Sequence, residues 1–550
     1  MLFVLAALLV AGCGSSHSGG TDADPATAVP ATAPLYLGVT LRPTGSQQTE
    51  AQAAGKALTG QDNPYERLLG ALRTPGSPPL DYKKDVAPWL GPHAGLFARS
   101  LSSAGALLAP LTASLSSSGP IAPLPFSASG LDGALVMDTR DSGAARSFLA
   151  TQAKHAGAHS SSYRGVSYEV SPGGVAFGLV GSFAVIGSEA GLRAVIGATQ
   201  GEAALSTSSG YSKLSSGAPG EAIAHLYVSP GAAARPLASS SSRGILEALG
   251  GARQTLVSVT AQSTALRLDV DTLAAPGSER TGLLSADPQA AQALSELPGE
   301  SWLAIGIGHA GSSLAGTTAV LSTLGSLAGS EQGGGAISVG SLLGGLTQPL
   351  HILGARTAAA RRDYTSWMGS AGIFAAGSSV FELHAAVTIA STDATRSRAA
   401  VAKLAGAMRA AGDEVANVRL PGTDAAASVR LPGVPLPVYL AAGQSPSGPK
   451  FVLALGEASV AAALSPSTTL ASSPSRSAGA AALGEGIQPS VLVDFPTLLT
   501  LLEGVGLGED PTLAPLLPYL RASGTLAGGG HQLEGGVERF RVLLRLRAAG

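Results

Sequence analysis

Apolar residues recur with two different periods along this chain, and in one place the two periods stand back to back. Phe183–Ile196, FAVIGSEAGLRAVI, opens with an apolar run of the length of a buried strand and turns near Gly187. It continues with Leu192, Val195 and Ile196 at i, i+3 and i+4, one face of a helix. Glu189 falls in the first turn of that helix, where the dipole favours an anion. The pattern returns, ungapped and 268 positions later, as Phe451–Leu464, FVLALGEASVAAAL. Phe183 aligns with Phe451, Glu189 with Glu457, and the apolar triplet with Val460, Ala463 and Leu464. So small a unit cannot bury its own apolar face, so it belongs to a larger body that occurs twice.

The flanking pattern supports that doubling. In the first half, strands are expected at Leu35–Val39, Leu131–Met137, Tyr163–Val170, Val175–Val180, Ala222–Val228, Thr255–Gln262 and Ala265–Asp271. Helices are expected at Ser46–Leu58, Tyr65–Leu72 and Asp141–His155, with Ser100–Phe126 an irregular excursion. In the second half Ser301–Ile307, Leu383–Ala390, Val438–Ala442, Val491–Phe495 and Phe540–Leu546 answer those strands, and Thr395–Ala411 answers the helix. Trp89-Leu90-Gly91 is matched by Trp367-Met368-Gly369, and Leu96-Phe97 by Ile373-Phe374. Adjacent hairpin strands mixed with helices predict an α+β fold with mainly antiparallel sheets. The expected organisation is two tandem homologous domains, 34–285 and 286–550, joined near a helix at Pro288–Leu297.

The N-terminus reads as an address. Met1–Cys13, MLFVLAALLVAGC, is an apolar run ending in Leu9-Val10-Ala11-Gly12-Cys13, which resembles a bacterial lipobox. The run is too short to span a bilayer and has the length of a signal-peptide core, although no Lys or Arg precedes Cys13. Residues 1–13 are therefore expected to be a signal, Cys13 the lipidated residue, and residues 14–33 a flexible linker rich in Gly, Ser, Thr, Ala and Pro. That places the chain outside the cytoplasm, held to the membrane through lipid on Cys13.

Composition narrows the partners. A net charge of -2, from 34 basic and 36 acidic residues, offers no basic face for nucleic acid. Mean hydropathy is +0.28, yet the apolar residues are spread, with no run long enough for a spanning helix. Cys13 is the only cysteine, which excludes an internal disulfide.

Each candidate constellation has a plainer reading. Gly306-Ile307-Gly308-His309-Ala310-Gly311 follows a strand, with Glu331 where a ribose-binding acid would fall, and is formally a dinucleotide fingerprint. The matching place, Gly38-Val39-Thr40-Leu41, lacks it, which favours a glycine-rich turn. His155 and His159 have a metal-ligand spacing, but Gly157 interrupts the helix and no carboxylate completes a set. Asp138 and Asp141 could pair as carboxylates, though Asp141 better opens a helix. Asp494 lies in an apolar strand, on its solvent face by alternation. Trp89 and Trp367 suit a core better than a stacking platform. No GxSxG motif is present. No catalytic residue, metal site or cofactor is expected.

The Trp89–Gly91 turn, the strand and helix at Leu131–Ala156, and the hairpin Tyr163-Arg164-Gly165-Val166-Ser167-Tyr168 together resemble a known family. So do the repeated unit, Leu205, Tyr211 and the Ala222–Val228 strand. The family is a domain-of-unknown-function family of bacterial secreted proteins and lipoproteins, the DUF thirty-three fifty-two type. It implies no activity or cofactor. The expected function is a non-catalytic binding or structural module of the cell envelope, with an envelope protein as a possible partner. The alternatives are a carrier of a lipid or other apolar ligand, suggested by Leu314–Leu346, and an envelope hydrolase.

Overall fold

The apolar runs read as strands do form strands, and all of them join one sheet. The computed structural model describes residues 22–59, 79–100, 124–127, 130–229, 252–274, 284–312, 365–379, 382–431, 434, 436–504 and 516–547. Cys13, the expected helix at Tyr65–Leu72, most of Ser100–Phe126, Leu314–Leu346 and Glu331 lie outside them.

The first half contains β1 (Leu35–Thr40), α1 (Gly45–Thr59), β2 (Leu90–Ala98), β3 (Gly133–Thr139) and α2 (Ser142–His155). There follow β4 (His159–Tyr163), β5 (Val166–Val170), β6 (Val175–Val180), β7 (Phe183–Ser188), α3 (Glu189–Thr199) and α4 (Ser209–Ser216). It closes with β8 (Ala224–Val228), β9 (Ala252–Gln262) and β10 (Ala265–Ala274). The second half contains α5 (Pro288–Ser295), β11 (Leu303–Ile307), β12 (Met368–Ala376), β13 (His384–Ser391) and α6 (Ala394–Ala410). Next come β14 (Glu414–Val418), β15 (Thr423–Arg430), β16 (Val438–Ser445), β17 (Gly448–Leu455), α7 (Glu457–Leu464) and α8 (Pro474–Leu483). The last elements are β18 (Val491–Asp494), α9 (Phe495–Gly504), α10 (Leu517–Ala522), β19 (Ser523–Gln532) and β20 (Val537–Leu546).

Among the described residues the sheet has 20 strands and every strand pairing is antiparallel, and the fold is α+β. From one edge the order is β4, β5, β6, β7, β3, β2, β1, β8, β9, β10. From the other it is β14, β15, β16, β17, β13, β12, β11, β18, β19, β20, the same succession strand for strand. The two series meet where β10 pairs with β20. The hydrophobic pattern predicted the strands but not this continuity. Ala51, Ala54 and Leu58 of α1 even share a core cluster with Phe495, Tyr519 and Leu544 of the second half.

The later residues of the expected linker pack on the body. Asp24 caps a single turn at Pro25–Thr27, and Ala26, Ala28 and Val29 are fully buried against Tyr36 and Leu205. Small apolar residues allow this close docking. Asp287 caps α5 in the same way, again with proline next. Each segment then bridges to the turn after the repeated helix, Pro30 to Ala204 and Pro298 to Thr469.

Pairing also corrects the ungapped alignment. Phe97 and Phe374 lie opposite Ala134 and Ala386, which lie in turn opposite Gly187 and Ala454. Gly187 thus corresponds to Ala454, and the strands are related by an offset of 267. The helices keep 268, because Leu192, Val195 and Ile196 are buried as Val460, Ala463 and Leu464 are. The extra residue is Gly456 at φ +74°, a left-handed conformation that glycine adopts without a steric cost. A one-residue slip turns a strand's side chains over. Phe183 accordingly packs with Leu192 and Val195, whereas Phe451 packs on the opposite face with Trp367.

Trp89 and Trp367 are both core, 1% exposed, and each has a phenylalanine against it. Trp89 meets Phe148 of α2 at 4.9 Å between centroids, with Ala184 of β7 in the same cluster. Trp367 meets Phe451 of β17 at 5.4 Å, with Ala400 of α6 in its cluster. Aligning the helix caps Asp141 and Asp393 makes Ala400 the counterpart of Phe148, so helix and strand have exchanged large for small. Phe451→Ala is expected to cost about 3–5 kcal/mol in denaturant unfolding. Adding Ala400→Phe should recover about 1 kcal/mol or more. A double variant no more stable than the single one would refute the exchange.

Candidate functional site

Among the described residues, the densest group of buried ionisable side chains lies where the halves join. In β10 Arg267, Asp269 and Asp271 alternate with apolar residues, so they share one face of the sheet. In β20 Arg539 and Arg541 do the same, and the register sets Asp271 opposite Arg539 and Asp269 opposite Arg541. Asp269 and Asp271 are 0% and 1% exposed. Arg539 donates to both Asp271 oxygens at 2.7 Å, a bidentate pair. Arg541 donates to Asp269 Oδ1 at 2.6 Å. Arg267 Nε lies 3.2 Å from Asp269 Oδ2 as an ion pair, without the alignment of a hydrogen bond.

Two helix ends complete the group. Arg539 donates to the carbonyl of Gly217, the C-cap of α4, at 2.6 Å. Arg541 donates to the carbonyl of Leu483, the last residue of α8, at 3.0 Å. A cation at a helix C-terminus satisfies an orphan carbonyl and meets the negative end of the dipole. Each guanidinium therefore joins a carboxylate on one half to a helix terminus beside the sheet.

The charges shape the titration. Hydrogen bonding to Asp271 holds the Arg539 guanidinium above its ordinary value. Burial pushes the Asp271 carboxyl up, while Arg539 pulls it down. The bidentate geometry requires the carboxylate form. His531 lies opposite Arg539 on β19. Burial first, then Arg541 and Arg539, hold its imidazole below the ordinary histidine value. Its Nδ1 is buried with no hydrogen bond among the described residues.

The residues singled out in the sequence are not brought together here. Gly306 lies in β11, between antiparallel neighbours, so the crossover of a dinucleotide fold is missing at this strand. Its glycines serve packing: a Cβ on Gly306 would run into the Ala290 carbonyl of α5, and one on Gly308 into Asp287. Asp287 instead pairs with His309 at 2.6 Å. The matched pair Gly38 and Gly95 in the first half is covered by the Tyr36 ring. His155 ends α2 and His159 opens β4, both exposed. Asp141 caps α2 through Ala144 N at 2.9 Å, while Asp138 is buried against Gly91. Asp494 ends β18, and its Oδ2 accepts from Thr497 at the start of α9. The joint itself went unread because its charges alternate with apolar residues, the signature of a solvated strand face. The signal available was opposite sign, acids closing the first half and arginines closing the second.

A family profile described as a protein of unknown function, DUF3352, matches residues 1–521. The chain belongs to this family. None of the curated proteins matches this DUF3352 chain. Among solved structures, crystal forms I and III of TP0453 are similar over 47% of this chain and 82% of theirs. Identities are 9% and 8% and TM-scores 0.27 and 0.26.

Two outcomes follow from the joint. Arg539→Ala, which leaves Asp271 buried and unpaired, should cost about 3–5 kcal/mol. A loss below about 1 kcal/mol in denaturant titration would show the pair to be dispensable. Because burial lowers the folded-state values of His531 and of His225, which lies in β8 beside Ser258, the unfolded chain binds more protons just below the ordinary histidine range. Stability present above about pH 6.5 should thus be lost as pH falls toward 5. His531→Gln should flatten that dependence in thermal melts, and an unchanged slope would exclude His531 as a source.

Proposed function

We propose that this DUF3352 chain is a membrane-anchored extracytoplasmic lipoprotein whose folded body is a non-catalytic binding or structural module of the cell envelope. The observation that carries the reading is how the buried charge is used. Asp269, Asp271, Arg539 and Arg541 bond to one another and to helix ends, a disposition that fastens strands and holds no reacting group. The strand-for-strand repetition supports two homologous halves. The anchoring part rests on Leu9–Cys13, with the docked body beginning near Asp24.

A second reading, a carrier of an apolar ligand, is favoured by a groove of 360 Å³ lined by Leu420, Pro421, Glu457, Ala458, Val460 and Ala461. Native mass spectra after mild purification separate the two readings, since a carrier should retain lipid. In a lipoprotein-processing bacterium fed radiolabelled palmitate, the wild-type chain should take up label and stay with membranes. Cys13→Ser should lose the label and leave the membrane fraction. An unlabelled wild-type chain would defeat the anchoring proposal.

A further inference from the structure

The groove beside α7 has a filled counterpart in the other half. At the start of α3, Glu189 accepts hydrogen bonds from Tyr168 Oη at 3.0 Å and Arg193 Nη2 at 2.6 Å. Arg193 also donates to Tyr168 Oη at 2.9 Å and lies 5.4 Å from the centre of the Tyr163 ring. One guanidinium, two tyrosines and the carboxylate thus close the corner between the β4–β5 hairpin and the helix.

In the second half the carboxylate remains and its partners are gone. Glu457 takes the place of Glu189, and Ala461 that of Arg193. The strand register sets Glu169 opposite Phe177 and Ala427 opposite Leu440, which makes Ala426 the counterpart of Tyr168. Leu420 and Pro421 stand in the hairpin turn where Tyr163 and Arg164 stood. Glu457 is exposed, and its carboxylate makes no hydrogen bond or ion pair among the described residues. What the substitutions leave is the 360 Å³ groove, apolar along its walls, with a carboxylate at its rim.

We propose that this groove docks an arginine-bearing segment of a partner protein, whose guanidinium meets Glu457 and whose apolar neighbours meet Leu420, Pro421, Val460 and Ala461. The first half indicates the occupant: there the Arg193 guanidinium gives one nitrogen to the first-turn carboxylate of Glu189 and a second to a neighbouring acceptor, Tyr168 Oη. Lysine would supply the charge without a rigid second donor. The inference rests on reading the body as a binding module and names what that module binds.

The test uses the full chain in detergent and the peptide acetyl-Leu-Tyr-Arg-Leu-amide, followed by calorimetry or by NMR shifts. Saturable binding is expected, about tenfold weaker for Glu457→Gln, as loss of one charge-assisted pair implies. Ala461→Arg should abolish it by restoring the internal partner seen in the first half. A peptide with citrulline in place of arginine, tested on the wild-type chain, should bind as weakly as arginine peptide binds Glu457→Gln. Absent binding, or binding indifferent to citrulline, to Glu457→Gln or to Ala461→Arg, would overturn the proposal. Uptake of phosphatidylcholine from vesicles without peptide binding would overturn it too, in favour of the carrier. Palmitate labelling at Cys13 is independent of each of these outcomes, so the anchored-module reading stands or falls separately.

Discussion

Asp269 and Asp271 facing Arg541 and Arg539 across β10 and β20 is the contact on which the continuity of the sheet depends. Buried charges attract strongly, but removing them from water costs nearly as much, so such a pair adds little net stability. What it supplies is a penalty for every other arrangement. A slip of one residue would turn the aspartates to the wrong face. A slip of two would set one aspartate against Val537 or Leu543. Apolar strands alone would tolerate either error far better. The carbonyls of Gly217 and Leu483 extend the constraint from the sheet to the helices beside it.

The two halves solve the same packing problems with different residues. Trp89 is backed by a phenylalanine from a helix and Trp367 by one from a strand. The notch above Gly38 and Gly95 is filled by Tyr36, and that above Gly306 and Gly372 by α5 and Leu297. Ala304, the counterpart of Tyr36 in the register, is small where the helix comes close. In each case volume is conserved while its source moves, as close packing demands. The corner beside α7 departs from this rule, since Tyr168 and Arg193 give way to alanines with nothing large put back among the described residues.

Much of the fold was legible in the residues because period and turn chemistry act locally. The strands, the α+β class, the buried tryptophans and the helix after Asp141 could all be read that way. The one-residue offset at Gly456 could not, since an ungapped match in Ala-rich sequence hides an inserted glycine that the strand pairing reveals. The docked turn at Asp24 was obscured by composition: Pro, Ala and Thr suit a tether as well as a tight contact. The charged joint was hidden for a further reason. Alternation states which residues share a face, but not whether another strand and two helices will cover it.

The position of β20 in the chain has a consequence for biogenesis. Strand β10 precedes its neighbour, completed only at Leu546, by almost the whole second half, so a first half folding ahead of the second leaves that edge unpaired. An exposed edge strand invites pairing with other chains. During that interval Asp269 and Asp271 would act as hydrated, mutually repelling guards against such pairing. The arginines that later neutralise them also end that protection, at the moment it is no longer needed.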